Sequence, residues 1–149
     1  MTGRRQLLVA EDDPQVVSVL YEALTTEGGY AVMVAEDGAA ALAALARPNS
    51  FDLLLLDLLL PKVSGLAVAS HAISQDVPVL LMSGSLELTD AAARLGVGLL
   101  AKPYLFNDLF REVEKTIRNT RGNPRLAPMQ QQLLAENIRR LHEECHRYR

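Results

Sequence analysis

The sequence predicts an α/β chain built on one doubly wound parallel sheet of five strands. Short apolar runs of strand length alternate with stretches of helix length, the pattern of a parallel sheet covered on both faces. The pair repeats five times, with about 25 residues per unit, and fills the chain to Arg121 without a large unexplained loop. The run at residues 53–56 is apolar at every position, as a central strand buried on both sides requires.

Each element has its own signal. Residues 6–10 form the first strand. Asp13 then reads as a helix N-cap with Pro14 at the first helical position, and Val16, Val17, Leu20 and Leu24 make one buried face. Gly28 and Gly29 stop that helix. Residues 30–35 form strand two, and Gly38 opens an alanine-rich helix that Pro48 and Asn49 end. After strand three come Pro61 and Gly65, then a helix over residues 66–74. Strand four covers 77–82, a helix covers 86–95 and ends at Gly96, strand five covers 98–101, and a last helix covers 106–118.

Composition narrows the class. At 149 residues and 49% hydrophobic, the chain supports one compact domain with an appendage. The single cysteine, Cys145, leaves no internal disulfide, and no start resembling a secretory signal is present, so a reducing cytoplasm is expected. No apolar run approaches the roughly 18 to 20 residues of a membrane helix. The net charge of -3 divides into -5 up to Arg121 and +2 beyond it. Neither part carries the dense basic patch of a nucleic-acid reader, so direct nucleic-acid binding is not expected.

In open α/β sheets, ligands bind outside the carboxyl ends of the strands. Strand one ends in Glu11-Asp12-Asp13, strand three in Asp57, strand four in Ser83-Gly84 and strand five in Lys102-Pro103. Taken singly, acids after a strand cap a helix, Ser-Gly makes a turn, and Lys-Pro is ordinary loop chemistry. Their joint placement on one edge is what carries chemistry. Clustered carboxylates stay ionised together only where a cation balances them, and Mg²⁺ suits a few carboxylates while leaving room for a phosphoryl oxygen. Lys102 supplies a second positive charge. Asp57, alone at the end of the most apolar strand, is the expected nucleophile for phosphoryl transfer, Glu11 and Asp12 are the expected metal ligands, and Asp13 is the expected cap.

These segments, LLVAEDD at residues 7–13, FDLLLLDLLLP at 51–61 with Gly65, VPVLLMSG at 77–84 and AKP at 101–103, resemble the receiver domains of bacterial two-component response regulators. The likeness spans residues 6–121. It implies a flavodoxin-like strand order 2-1-3-4-5, with Asp57 as phosphoacceptor, Glu11 and Asp12 as the acidic pair, and the main-chain carbonyl of Leu59 also at the metal. It further implies that Ser83 and Lys102 hold the phosphate, that the Lys102-Pro103 peptide is cis, and that the donor is a histidine kinase or histidine phosphotransfer protein. Two positions depart from the family pattern. Leu99 stands where an aromatic residue often reads out phosphorylation, and Leu59 stands where a polar side chain is common, with Ser85 at the other position that governs water access.

Residues 122–149 divide from the domain at Gly122, Asn123 and Pro124 and read as a linker with one further amphipathic helix over 129–148. Leu134, Ile138, Leu141, Cys145 and Tyr148 follow the spacing of a coiled-coil seam over about two heptads, suited to a homodimer or to a connection toward an output domain. His142-Glu-Glu-Cys-His146 matches the H-E-x-x-H zinc-protease pattern literally, but only three residues follow it. A polar helix end is the plainer reading. Three other functions fit less well. An aspartyl-phosphate phosphotransferase of the haloacid dehalogenase kind wants an acid where Leu59 stands, and an FMN carrier wants a first loop rich in Gly, Ser and Thr. A receiver-shaped module that is never phosphorylated would not need the full set of site residues.

Overall fold

The computed structural model describes residues 3–47, 50–57, 65–84 and 98–121. The strands are β1 (Gln6–Ala10), β2 (Ala31–Ala35), β3 (Leu53–Asp57), β4 (Val79–Ser83) and β5 (Gly98–Ala101). The helices are α1 (Pro14–Glu22), which continues as a π-helical turn over Ala23–Glu27, α2 (Gly38–Leu45), α3 (Gly65–Ser74) and α4 (Phe106–Arg121). All neighbouring strands pair in parallel, in the order β2-β1-β3-β4-β5. The sheet is doubly wound, as the sequence pattern predicts, and has the flavodoxin-like order that the resemblance implies. The predicted helix at 86–95, the Pro48-Asn49 stop, Pro61 and the tail helix lie outside the described residues.

Alternation along β1 and β3 builds two cores. Leu8, Ala10, Leu54 and Leu56 face one side and pack with Ala41, Leu45, Val68, Ala69 and Ala72 of α2 and α3. Leu7, Val9, Leu53 and Leu55 face the other side and pack with Leu20 and Leu24 and with Leu109, Val113 and Ile117 of α4. The four leucines of β3 are fully buried. Burying each such side chain contributes about 1.5–3 kcal/mol, which fixes β3 as the central strand.

Side-chain caps set the helix starts. Asp13 accepts a hydrogen bond from the Gln15 amide at 2.9 Å, and Asp37 accepts one from the Ala40 amide at 2.8 Å. The structure moves two strand starts by one or two residues. Tyr30 spends its amide on the Leu24 carbonyl, closing the π-helical turn, so the β2 ladder begins with Ala31 donating to Arg5. Val77 donates to Ala72 at the end of α3, and Pro78 has no amide to give, so β4 begins at Val79.

Candidate functional site

Parallel pairing places every strand's carboxyl end on one edge, and the register keeps those ends level. Ala10 pairs with Leu56, Asp57 with Met82, and Ser83 with Ala101. The residues that follow therefore converge. Glu11 and Asp12 leave β1, Asp57 closes β3, Ser83 closes β4, and Lys102 leaves β5.

Glu11, Asp12 and Asp57 each offer a carboxylate oxygen, and the three oxygens lie within 4.8 Å of one another. Lys102 Nζ stands 3.6 Å from Asp57 Oδ2. Glu11 is only 2% exposed, while Asp57 is half-buried and Asp12 is exposed. Burial pushes the Glu11 carboxyl up to about 8, contact with the Asp57 carboxylate and the charges of Asp57 and Asp12 push the same way, and Lys102 opposes them. One Glu11 oxygen, Oε2, is buried with no hydrogen-bond partner among the described residues. A buried, unpartnered carboxylate oxygen inside an acidic cluster is a donor set suited to a hard divalent cation.

The sequence-predicted residues distribute as follows. Glu11, Asp12, Asp57 and Lys102 come together, and Asp13 turns away to cap α1. The main chain of Ser83 ends β4 opposite Ala101. Leu59 and Ser85 lie outside the described residues. The Lys102-Pro103 peptide is cis, as the resemblance implied. Leu99 packs against the core on the α2–α3 side, and its neighbour Leu100 belongs to the core on the α1–α4 side. Tyr104 was not singled out from the sequence. Its ring packs against the α1–α4 core, and burial first, then the charge of Glu11, raises its hydroxyl's pKa. Its position just after Lys102-Pro103 was the available signal.

A family model described as the response regulator receiver domain matches residues 7–114. The transcriptional regulatory protein YrkP of Bacillus subtilis (strain 168) is 33% identical over 117 residues, covering 76% of this chain and 49% of that protein. The response regulator receiver protein CpdR of Brucella abortus (strain 2308) is 31% identical over 118 residues, covering 76% of this chain and 97% of that one. The chain thus spans about half the length of transcriptional regulators such as YrkP. Among solved structures, the receiver domain of the sensor histidine kinase PA1611 from Pseudomonas aeruginosa PAO1 has a magnesium ion coordinated in its active site cleft. It superposes with a TM-score of 0.65 at 26% identity, covering 78% of this chain and 99% of that one.

Proposed function

The chain belongs to the response regulator receiver family, and from that premise we propose that it is a phosphorylation switch whose acceptor is Asp57. The observation that carries this reading is the ammonium of Lys102 at 3.6 Å from the Asp57 carboxylate, beside two further acids in reach of one cation. Phosphoryl transfer asks a protein mainly for positioning and for neutralisation of charge on the transferred group. In the proposed step an Asp57 oxygen bonds to phosphorus while the donor's bond to phosphorus breaks, leaving an acyl phosphate and a free donor. Lys102 pairs with the new phosphoryl oxygens, and Ser83 donates to one of them.

Glu11, Asp12 and Asp57, with the Leu59 carbonyl carried over from the family pattern, would hold Mg²⁺, which supplies charge neutralisation at the phosphoryl oxygens. The donor is a histidine kinase or histidine phosphotransfer protein. The protein assists its own modification and does not turn over an external substrate, in keeping with relatives that are regulators. Residues 1–121 form the receiver, and residues 122–149 serve as linker and helix for a homodimer or an output connection. Among the described residues no helix is long and apolar enough to cross a membrane.

The modified state adds about -1.5 to -2 charges, so contacts from Ser83 and Lys102 strengthen only then. Ser83 ends β4 and Lys102 follows β5, and the surface that changes is carried by the elements beside them, α4 included. Incubation with acetyl phosphate and Mg²⁺, read by intact mass, tests the proposal. One added phosphoryl group is expected in the parent and none in Asp57→Asn. A parent that gains no mass, or an Asp57→Asn protein that gains the same mass, rejects Asp57 as the acceptor.

A further inference from the structure

β2 is the outer strand of the sheet and pairs only with β1 among the described residues. Its sequence, Ala-Val-Met-Val-Ala, carries no charge and reads the same in both directions. Edge strands are normally blunted by a charge, a proline or a bulge, because their unpaired amides and carbonyls template pairing with another chain. β2 has no charge or proline, and its register with β1 runs unbroken over five residues. At its centre, Met33 is 50% exposed.

The ladder fixes where each backbone group points. Ala31 donates to the Arg5 carbonyl at 2.9 Å, and the Ala35 carbonyl accepts from Glu11 at 3.1 Å. Along a strand, successive residues turn their amide and carbonyl to opposite sides. Ala31, Met33 and Ala35 therefore spend theirs on β1. Val32 and Val34 turn theirs to the open edge.

We propose that β2 pairs antiparallel with β2 of a second copy of this chain, about a two-fold axis through Met33, to make one continuous sheet across the dimer. A second copy presents the same pattern of groups that β1 leaves unused, and an axis at Met33 brings those of Val32 and Val34 opposite their complements. In this register Val32 lies opposite Val34 of the second copy, so the four valines form two hydrogen-bonded pairs that exchange the backbone groups β1 leaves unused. Met33 lies opposite Met33 in a non-hydrogen-bonded pair, the kind with the closer side chains. The contact is isologous, as a closed two-fold dimer requires. At the strand ends Glu36 meets Tyr30 and Asp37 meets Gly29, so no acid faces an acid. The neighbouring helix α2 carries no charged side chain at all.

Sedimentation velocity on the full chain tests this without any phosphoryl donor, so its outcome is separate from that for Asp57. The parent is expected to reach twice the 16.3 kDa chain mass. Met33→Lys and Met33→Glu, each alone, place like charges in contact and weaken association by about tenfold or more. Mixing the two variants restores the dimer, because Lys then meets Glu. Val34→Pro, which removes an outward amide that β1 does not use, is also expected to be monomeric, and circular dichroism checks that each variant is folded. A monomeric parent at high concentration overturns the proposal. So does a dimer that survives both Met33 charges, as one held by the tail helix would, or a mixture that stays monomeric.

Discussion

The Tyr30 hydroxyl donates to Glu114 Oε1 at 2.5 Å, and Arg5 reaches Glu114 Oε2 at 2.7 Å. One carboxylate on α4 thus ties down the entries to β1 and β2. The Arg5–Glu114 pair is more than a third exposed and is screened by water, so the buried Tyr30 contact is the stronger part. Tyr30→Phe is expected to cost about 1–3 kcal/mol in urea unfolding, as loss of a hydrogen bond to a charged group does. Burial, then the Glu114 contact, holds the Tyr30 phenol well above its ordinary value of 10. The unfolded chain therefore ionises this group first as pH rises, so its contribution is constant below pH 10 and falls above it. Tyr30→Phe should show a shallower alkaline loss of stability; an identical loss would exclude the group. Leu59, two residues beyond Asp57, carries a second expectation. If Asp57 is the acceptor as proposed, an apolar side chain there is expected to hinder the hydrolytic water, so Leu59→Asn should shed the acyl phosphate severalfold faster in a mass-detected decay, and an unchanged rate would discard the idea.

At the scale of elements, β5 and α4 approach each other closely at Gly98. A methyl placed on Gly98 would stand 2.5 Å from Thr116 Oγ1 and 3.1 Å from Leu80 Cδ1. Thr116 is buried on α4, so it cannot swing into solvent to make room. Gly98→Ala should lower stability by about 1–3 kcal/mol, the usual cost of overpacking. Thermal unfolding of Gly98→Ala with Thr116→Ala should recover part of that loss, whereas strictly additive effects would refute the steric account. This constraint was invisible in the sequence, where Gly98 reads only as the first residue of a strand. What the sequence did expose were features written locally. Apolar runs located every strand, Asp13-Pro14 located the start of α1, and the acids after β1 and β3 named the site. Strand starts at Tyr30 and Val77 were misplaced because backbone groups there are spent on the preceding helices. The Tyr30–Glu114 bond spans 84 positions and leaves no local trace. Tyr104, which follows Lys102-Pro103 in the sequence, packs against the α1–α4 core within reach of the charge of Glu11.

For the molecule as a whole, the acidic edge sets function against stability, and pH separates the two. Glu11 has its carboxyl raised from 4.5 to about 8 in the folded chain, by burial first and then by Asp57. Between those values the folded state keeps a proton that the unfolded state has released, so folding loses free energy as pH rises. Below pH 4.5 both states are protonated and no penalty exists; above about 8 both are ionised and the penalty is complete. In the absence of divalent cations, the thermal midpoint of the parent should therefore fall from pH 5 to pH 8.5. Glu11→Gln, which carries no charge to bury, should fall less and be the more stable protein at the alkaline end. A cation reverses the balance, because ligands bind it only when deprotonated and because binding to the folded state alone stabilises it by mass action. Added Mg²⁺ should thus raise the parent's midpoint more at pH 8 than at pH 6 and raise that of Glu11→Gln far less at either. A parent whose response to Mg²⁺ is the same at both values would show that Glu11 does not exchange a proton for the metal on this edge.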